Sequence, residues 1–323
     1  MKNSKSRVLA GLLLALSFVG SAGAAPLNVP DLFSAGRMDE AVRVLNGRVQ
    51  SSPNDAEAYH LLSRANFHLK KWDQAITYGE MAIQLDPGKS DYYMWLARAY
   101  GEKADSSNFV TAAGLVKKIR TSFEKAVALD GNNVEARSDL AEFYVEAPAF
   151  MGGGTDKAVA QAQAIALHDP ARAHWVYAKI AEKKKDYGAA EREYNEAIKA
   201  NPDADYWLNL ASFYRRIGRF NDMDAAVAKA MAAKRDKNSS MFDAATLLFE
   251  AQHNLPMAAN LVRTYLASGP TEDAPGFEAH YVLGNILETQ GDKTSAANEY
   301  RTSLQLASNY SRAQEALQRV SSR

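Results

Sequence analysis

Residues 56–87 read AEAYHLLSRANFHLKKWDQAITYGEMAIQLDP. Tyr59, Leu62 and Ser63 share one face of a first predicted helix, Trp72-Asp73-Gln74-Ala75 opens a second, and Ala82 precedes Leu85-Asp86-Pro87. Two antiparallel helices joined by a short turn approach closely only where the facing residues are small. Ser63 is therefore expected opposite Ala75 within the hairpin, with Ala82 turned toward the next one and Tyr59 and Leu62 filling the space beside them. A proline beyond the second helix cannot continue it and sets the following turn. The spacing repeats: Ala41 and Ala75 are 34 residues apart, and so are Pro53 and Pro87.

Working outward, the same pattern returns along most of the chain. A partial unit precedes it, with Gly36 and Ala41 before Ser52-Pro53. Units starting near Ser90 and Val134 carry Leu96, Ala97 and Tyr100, then Leu140, Ala141 and Tyr144. The next has Tyr177, Ala178, Ala190, Tyr194 and Pro202; another has Leu210, Ala211, Tyr214 and Ala230, with Met223 where alanine is expected. Phe242, Phe249 and Ala258 mark a divergent unit, and Leu283, Gly284, Ala296 and Tyr300 the last, where Ser303 and Ser308 replace a small apolar residue and proline. This unit resembles the tetratricopeptide repeat, a 34-residue helix–turn–helix. The resemblance implies an all-α, right-handed solenoid of about seven repeats, roughly 28–55, 56–89, 90–133, 134–170, 171–203, 204–238, 239–269 and 277–310. A polar amphipathic helix at 311–322 is expected to cover the last apolar face.

Two stretches exceed the template. Residues 101–122 are about ten longer than a 34-residue unit allows, and Val110–Leu129 is expected as one long helix. The turn over 146–157 is stretched and glycine-rich. Together with Phe123–Asp130, this Ala-Pro…Gly-Gly-Gly…Lys-Ala turn resembles a group of exported bacterial tetratricopeptide repeat proteins. Gly152-Gly153-Gly154-Thr155-Asp156-Lys157 is not a phosphate loop, because a helix precedes it and Asp156 would repel a phosphate. Thr155 or Asp156 is expected to cap the next helix.

The 323 residues include 38 basic and 38 acidic side chains. Lys2, Lys5 and Arg7, an apolar run from Val8 to Val19, and Ala22-Gly23-Ala24 form a signal-peptide pattern, with cleavage expected after Ala24. The apolar run is shorter than the ~20 residues of a membrane-spanning helix, so a periplasmic or secreted protein with no integral membrane segment after cleavage is expected. Without residues 1–24, 35 basic face 38 acidic side chains, which argues against nucleic-acid binding through a bulk positive field. The chain has no cysteine, which removes disulfides, thiolate metal sites and cysteine nucleophiles.

No catalytic constellation emerges. His60 and His68 lie about 12 Å apart along a helix, too far to share a metal. Neither a His-Glu-x-x-His nor a serine elbow occurs, so no enzyme activity, cofactor or metal is expected. What the family resemblance implies is a concave face lined by first helices. The corresponding positions hold His60, Arg64 and Phe67, then Met94, Trp95 and Arg98, then Asp139, Glu142 and Glu146, then Trp175 and Lys179, then Asn209, Arg215 and Arg216. At the places of the family's carboxylate clamp stand His60, Arg64, Trp95, Glu135 and Asp139, and two acids there would repel a terminal carboxylate. Trp95 and Trp175 either anchor a partner segment or support neighbouring units. Charge along this face alternates from basic near Arg64 and Arg98, through acidic near Glu142, to basic near Arg215.

The expected function is a non-enzymatic interaction scaffold of the cell envelope holding a protein or peptide segment. The alternative is a carbohydrate- or peptidoglycan-associated module, or a polysaccharide-export helper, using groove aromatics to stack on sugars.

Overall fold

The computed structural model describes residues 28–322. The expected signal segment, 1–24, lies outside the described residues. Within them the chain forms successive helical hairpins: α1 (Val29–Ser34) with α2 (Met38–Ser51), α3 (Ala56–His68) with α4 (Trp72–Leu85), and α5 (Ser90–Asp105) with α6 (Phe109–Leu129). There follow α7 (Val134–Glu146) with α8 (Thr155–Ile165), α9 (Pro170–Lys183) with α10 (Tyr187–Ala200), and α11 (Ala204–Arg216) with α12 (Phe220–Ala232). Then come α13 (Ser239–Glu250) with α14 (Leu255–Ser268), α15 (Gly276–Thr289) with α16 (Lys293–Leu306), and a single helix α17 (Ser311–Ser321). No strand occurs among the described residues, so the fold is an all-α solenoid.

Local chemistry sets the hairpin boundaries. Asp55, Asn108, Asn133, Asp169, Asp186 and Asp292 each precede a helix and accept a hydrogen bond from its first turn, at 2.9–3.1 Å. The turn inside a hairpin needs one left-handed residue, which is glycine at Gly36, Gly218 and Gly291. Lys70, Lys185 and Gln252 adopt the same conformation without that freedom. Ser63 Oγ donates to the Ala75 carbonyl at 2.6 Å, joining the two helices where both residues are buried. Ser303 does the same for the last hairpin, donating to the Phe277 carbonyl at 2.7 Å. Met223, in the place of the expected alanine, is fully buried.

The long α6 begins at Phe109 and leaves Phe109 and Val110 exposed at its tip. In the stretched turn a short 3-10 segment, Ala149–Met151, precedes α8. The residue capping α8 is Gly154, with no side-chain cap bond, so neither Thr155 nor Asp156 plays that part. A side chain at Gly153 would collide with the Ala147 carbonyl, its Cβ lying 1.8 Å from that oxygen. The backbone N–H groups of Gly153 and Gly154 donate to Pro148 and Tyr144 carbonyls, which occupies the donors an anion would need.

First helices of successive hairpins pack on one another, α3 on α5, α5 on α7, and so on to α15 on α17, whereas second helices are not joined in this way. The array therefore curves with its first helices inside. The curvature brings the two ends together. Val29, Leu32, Phe33 and Met38 share one buried apolar cluster with Phe277, Ala307, Tyr310 and Ala313. Gly36 lies so near α15 that a Cβ would sit 2.6 Å from the Phe277 nitrogen. Lys70 and Glu278 pair at 3.1 Å across the same junction.

The last helix imitates the first helix of a further unit. Arg319 of α17 donates to Glu288 at 2.7 and 2.9 Å, and Tyr300 donates to that carboxylate at 2.7 Å. Arg216 of α11 and Tyr194 meet Glu182 in the same arrangement. Ala313, Ala316 and Val320 form the buried side of α17.

Candidate functional site

The first helices bring Arg64, Phe67, Trp95 and Arg98 into one stack between α3 and α5. The Trp95 ring has the Arg64 guanidinium at 4.7 Å and that of Arg98 at 5.1 Å, while Phe67 meets it edge-on at 5.4 Å. Such contacts are electrostatic as well as dispersive, because the guanidinium lies against the electron-rich ring. Trp95 is thus half-buried support for two arginines. Trp175, also half-buried, has Arg172 at 5.2 Å and Lys179 at 5.9 Å and packs against the apolar clusters on both sides of it.

The charges that alternate along this face are engaged in ion pairs. Each of its candidate cations is paired within the chain. Arg98 donates through Nε to Asp139 and through Nη2 to Glu135, both at 2.7 Å. Burial alone would lower the Arg98 pKa, but the two carboxylates outweigh it and hold the pKa above its ordinary value. Lys179 pairs with Glu142 at 3.0 Å, and Arg215 with Glu250 at 3.0 Å. Arg64 pairs with Glu272 at 2.5 Å, across the junction of the two ends. The local sequence places each cation on this face but does not reveal its partner, which comes from the neighbouring unit or from the far end.

His60 and Met94 lie deeper than the other candidates of this face. Both are buried, and His60 stacks on Tyr92 at a ring separation of 4.4 Å. Burial, followed by the Arg64 charge, pushes the His60 pKa down to about 3. Among the described residues no three His, Asp or Glu side chains are grouped to hold a metal ion, and no helix is long and apolar enough to cross a membrane.

Three hollows open between consecutive first helices. One of about 370 Å³ places Asn209 beside Arg172, Asp205, Asp243, Leu208 and Leu247. Asp243 is solvent-accessible but enclosed; that enclosure, then Asp205 and Asp273, raise its pKa against the opposing pull of Lys237. A second, of about 620 Å³, lies between α3 and α5 and is lined by His60, Arg64, Lys89 and Asp91. The third, of about 610 Å³, lies between α5 and α7, with Ile119, Phe123 and Phe143 as apolar lining and Asp105, Asp139 and Glu146 among its charged residues. Arg172, Asp205 and Asp243 were not singled out from sequence; their signal was the first-helix spacing that also gave Asn209.

Known proteins repeat this architecture. A tetratricopeptide repeat family model matches residues 28–90, 178–239 and 242–311, more than half of the chain. The chain is similar to the crystal structure of yeast Tom70, with a TM-score of 0.54 and 17% identity, over 88% of this chain and 58% of that one. A tetratricopeptide repeat protein from Parabacteroides merdae aligns over 90% of this chain and 95% of its own at 17% identity, with a TM-score of 0.45. Mouse Superkiller complex protein 3 is 23% identical over 252 residues, which is 66% of this chain. The chain spans only 16% of that protein's length. Hairpins stacked through small residues, and a family model matching across both ends, lead to one assignment: the chain belongs to the tetratricopeptide repeat family.

Proposed function

We propose that this protein is a non-enzymatic interaction scaffold of the bacterial cell envelope, holding a segment of a partner protein on its concave face. Tetratricopeptide repeat proteins are in general protein–protein interaction scaffolds. The observation that carries the reading here is the hollow between α5 and α7, where half-buried Phe143 lies beside Arg98, Asp105, Asp139, Glu142 and Glu146 of the first helices, above the buried Ile119 and Phe123 of α6. Phe143 gives an extended segment apolar surface to bury, and the charged groups set its register. Envelope placement rests on the n-region, apolar run and Ala22-Gly23-Ala24 of the sequence. For the carbohydrate reading, Trp95 is a poor platform, because Arg64 and Arg98 already engage its ring.

A photo-cross-linking residue at Phe143, on the hollow, and another at Val44, exposed on α2, test the assignment in a Gram-negative host. A protein adduct from position 143 and none from 44 is the expected outcome. Adducts from 44 alone would place binding on the outer face. Fractionation of the same cells should give a periplasmic or secreted chain whose mass begins at Ala25.

A further inference from the structure

Unlike the contacts between successive hairpins, the junction between the two ends is not held by chain connectivity. At the junction, Val29, Leu32, Phe33 and Met38 share an apolar cluster with Phe277, Ala307, Tyr310 and Ala313, flanked by polar contacts: Arg64–Glu272, Lys70–Glu278, and the Asp39 carboxylate accepting from the Ser308 N–H. His68 is buried 3.7 Å from Glu272. Arg64 Nε and His68 Nε2 are buried without a hydrogen-bond partner. Groups that have lost water without replacement regain it on separation, so parting these surfaces offsets some of the apolar contact it gives up. A hollow of about 490 Å³ already enters the junction, lined by Arg37, Asp39 and Arg43 on one side and Gln305 and Leu306 on the other. No disulfide locks it, because the chain has no cysteine.

We infer that the closed turn opens at this seam, and that opening admits a partner segment sideways to the concave face; the second half rests on the function proposed above. A segment within a folded partner has no free end to thread through a closed turn, so access requires a lateral gap. Small rotations at each contact between hairpins add up along the array, and no single hinge is needed.

The absence of cysteine makes the test clean. Arg43→Cys and Gln305→Cys place two thiols on opposite walls of the seam hollow without removing any contact that crosses it. With spin labels on both, pulsed dipolar spectroscopy should give a short and a long distance. Glu272→Gln should raise the long fraction several-fold, whereas Glu250→Gln, which breaks a similar pair away from the seam, should leave it unchanged. A single short distance that Glu272→Gln does not move overturns the inference. In the second arm a cleavable bis-maleimide bridges the two thiols. The bridge should abolish the Phe143 adduct, and cleavage should restore it. An adduct that survives bridging overturns lateral admission while leaving concave-face binding intact. No adduct from the unbridged protein would instead overturn concave-face binding, with the distance distribution still deciding whether the seam opens.

Discussion

The backbone N–H of Ser308 donates to the Asp39 carboxylate at 2.9 Å, joining positions 269 residues apart in sequence. Gly276 stands at the same contact, where an added Cβ would lie 3.1 Å from the Ala35 carbonyl oxygen. Its φ is outside the left-handed region, so a side chain there meets neighbours rather than backbone strain. Gly276→Leu is expected to part the two ends while every hairpin stays folded. Small-angle scattering should show a larger radius of gyration with unchanged helical circular dichroism; an unchanged radius would show that the ends tolerate the added bulk.

Acid should weaken the fold through His60. Its folded pKa, about 3, lies below the ordinary 6.5 because burial disfavours the charged ring. The unfolded chain therefore takes up the proton first. This contribution to stability is complete above about pH 6.5 and is lost as the pH falls toward 3, by an amount on the order of a few kcal/mol. His60→Phe keeps a ring against Tyr92 and should flatten that decline. Denaturant midpoints for both proteins at pH 7 and pH 5 are the measurement, and parallel declines would refute the assignment.

Gly284 and Gly114 should respond oppositely to alanine. A Cβ on Gly284 would lie 2.4 Å from Tyr300 Cε1. That ring is fully buried, and its hydroxyl donates to Glu288 at 2.7 Å with the Asn285 side chain 2.8 Å away, so it has little room to swing aside. Gly284→Ala should cost about 1–3 kcal/mol. Gly114 lies within α6 with nothing within 4 Å of an added Cβ, and Gly114→Ala should gain about 0.5–1 kcal/mol. Chemical denaturation with an unchanged m-value reads both.

Lys185 holds the left-handed turn position at φ 59°. Replacing it with glycine removes the clash between Cβ and backbone, and Lys185→Gly should raise stability by about 1 kcal/mol. A rise in melting temperature checks this; a fall would mean that unfolded-state entropy outweighs the relieved strain. Lys70 shares the conformation, but its amine pairs with Glu278, which makes Lys185 the cleaner position.

Ser63 and Ala75 show why the hairpins were legible in sequence. Small residues must occupy close helix–helix approaches, and they recur with the unit, so local spacing reveals their contact. Trp95 and Arg98 show where that reasoning stops. Helical position puts both on the inner face, but the Asp139 and Glu135 that neutralise Arg98 lie on the next first helix. Phe33 and Phe277 lie further still beyond reach: no periodicity links them, since their meeting depends on small rotations accumulated over the whole array. The long α6 could be read from an uninterrupted helical run, whereas Gly154 as the cap of α8 could not, because backbone geometry alone decides it.

The meeting of the ends also changes how the molecule comes apart. Units strung in a line fray inward from two termini, since a terminal unit has one neighbour and gives up one interface. When the first and last units touch, every unit has a neighbour on both sides, and there is no cheap place for melting to begin. The bond between Asp39 and Ser308, small in itself, belongs to the contact that makes cooperativity a property of the whole circuit. Once that contact is broken, α1 and α17 become ordinary termini, open to fraying and to proteases that leave the closed form intact.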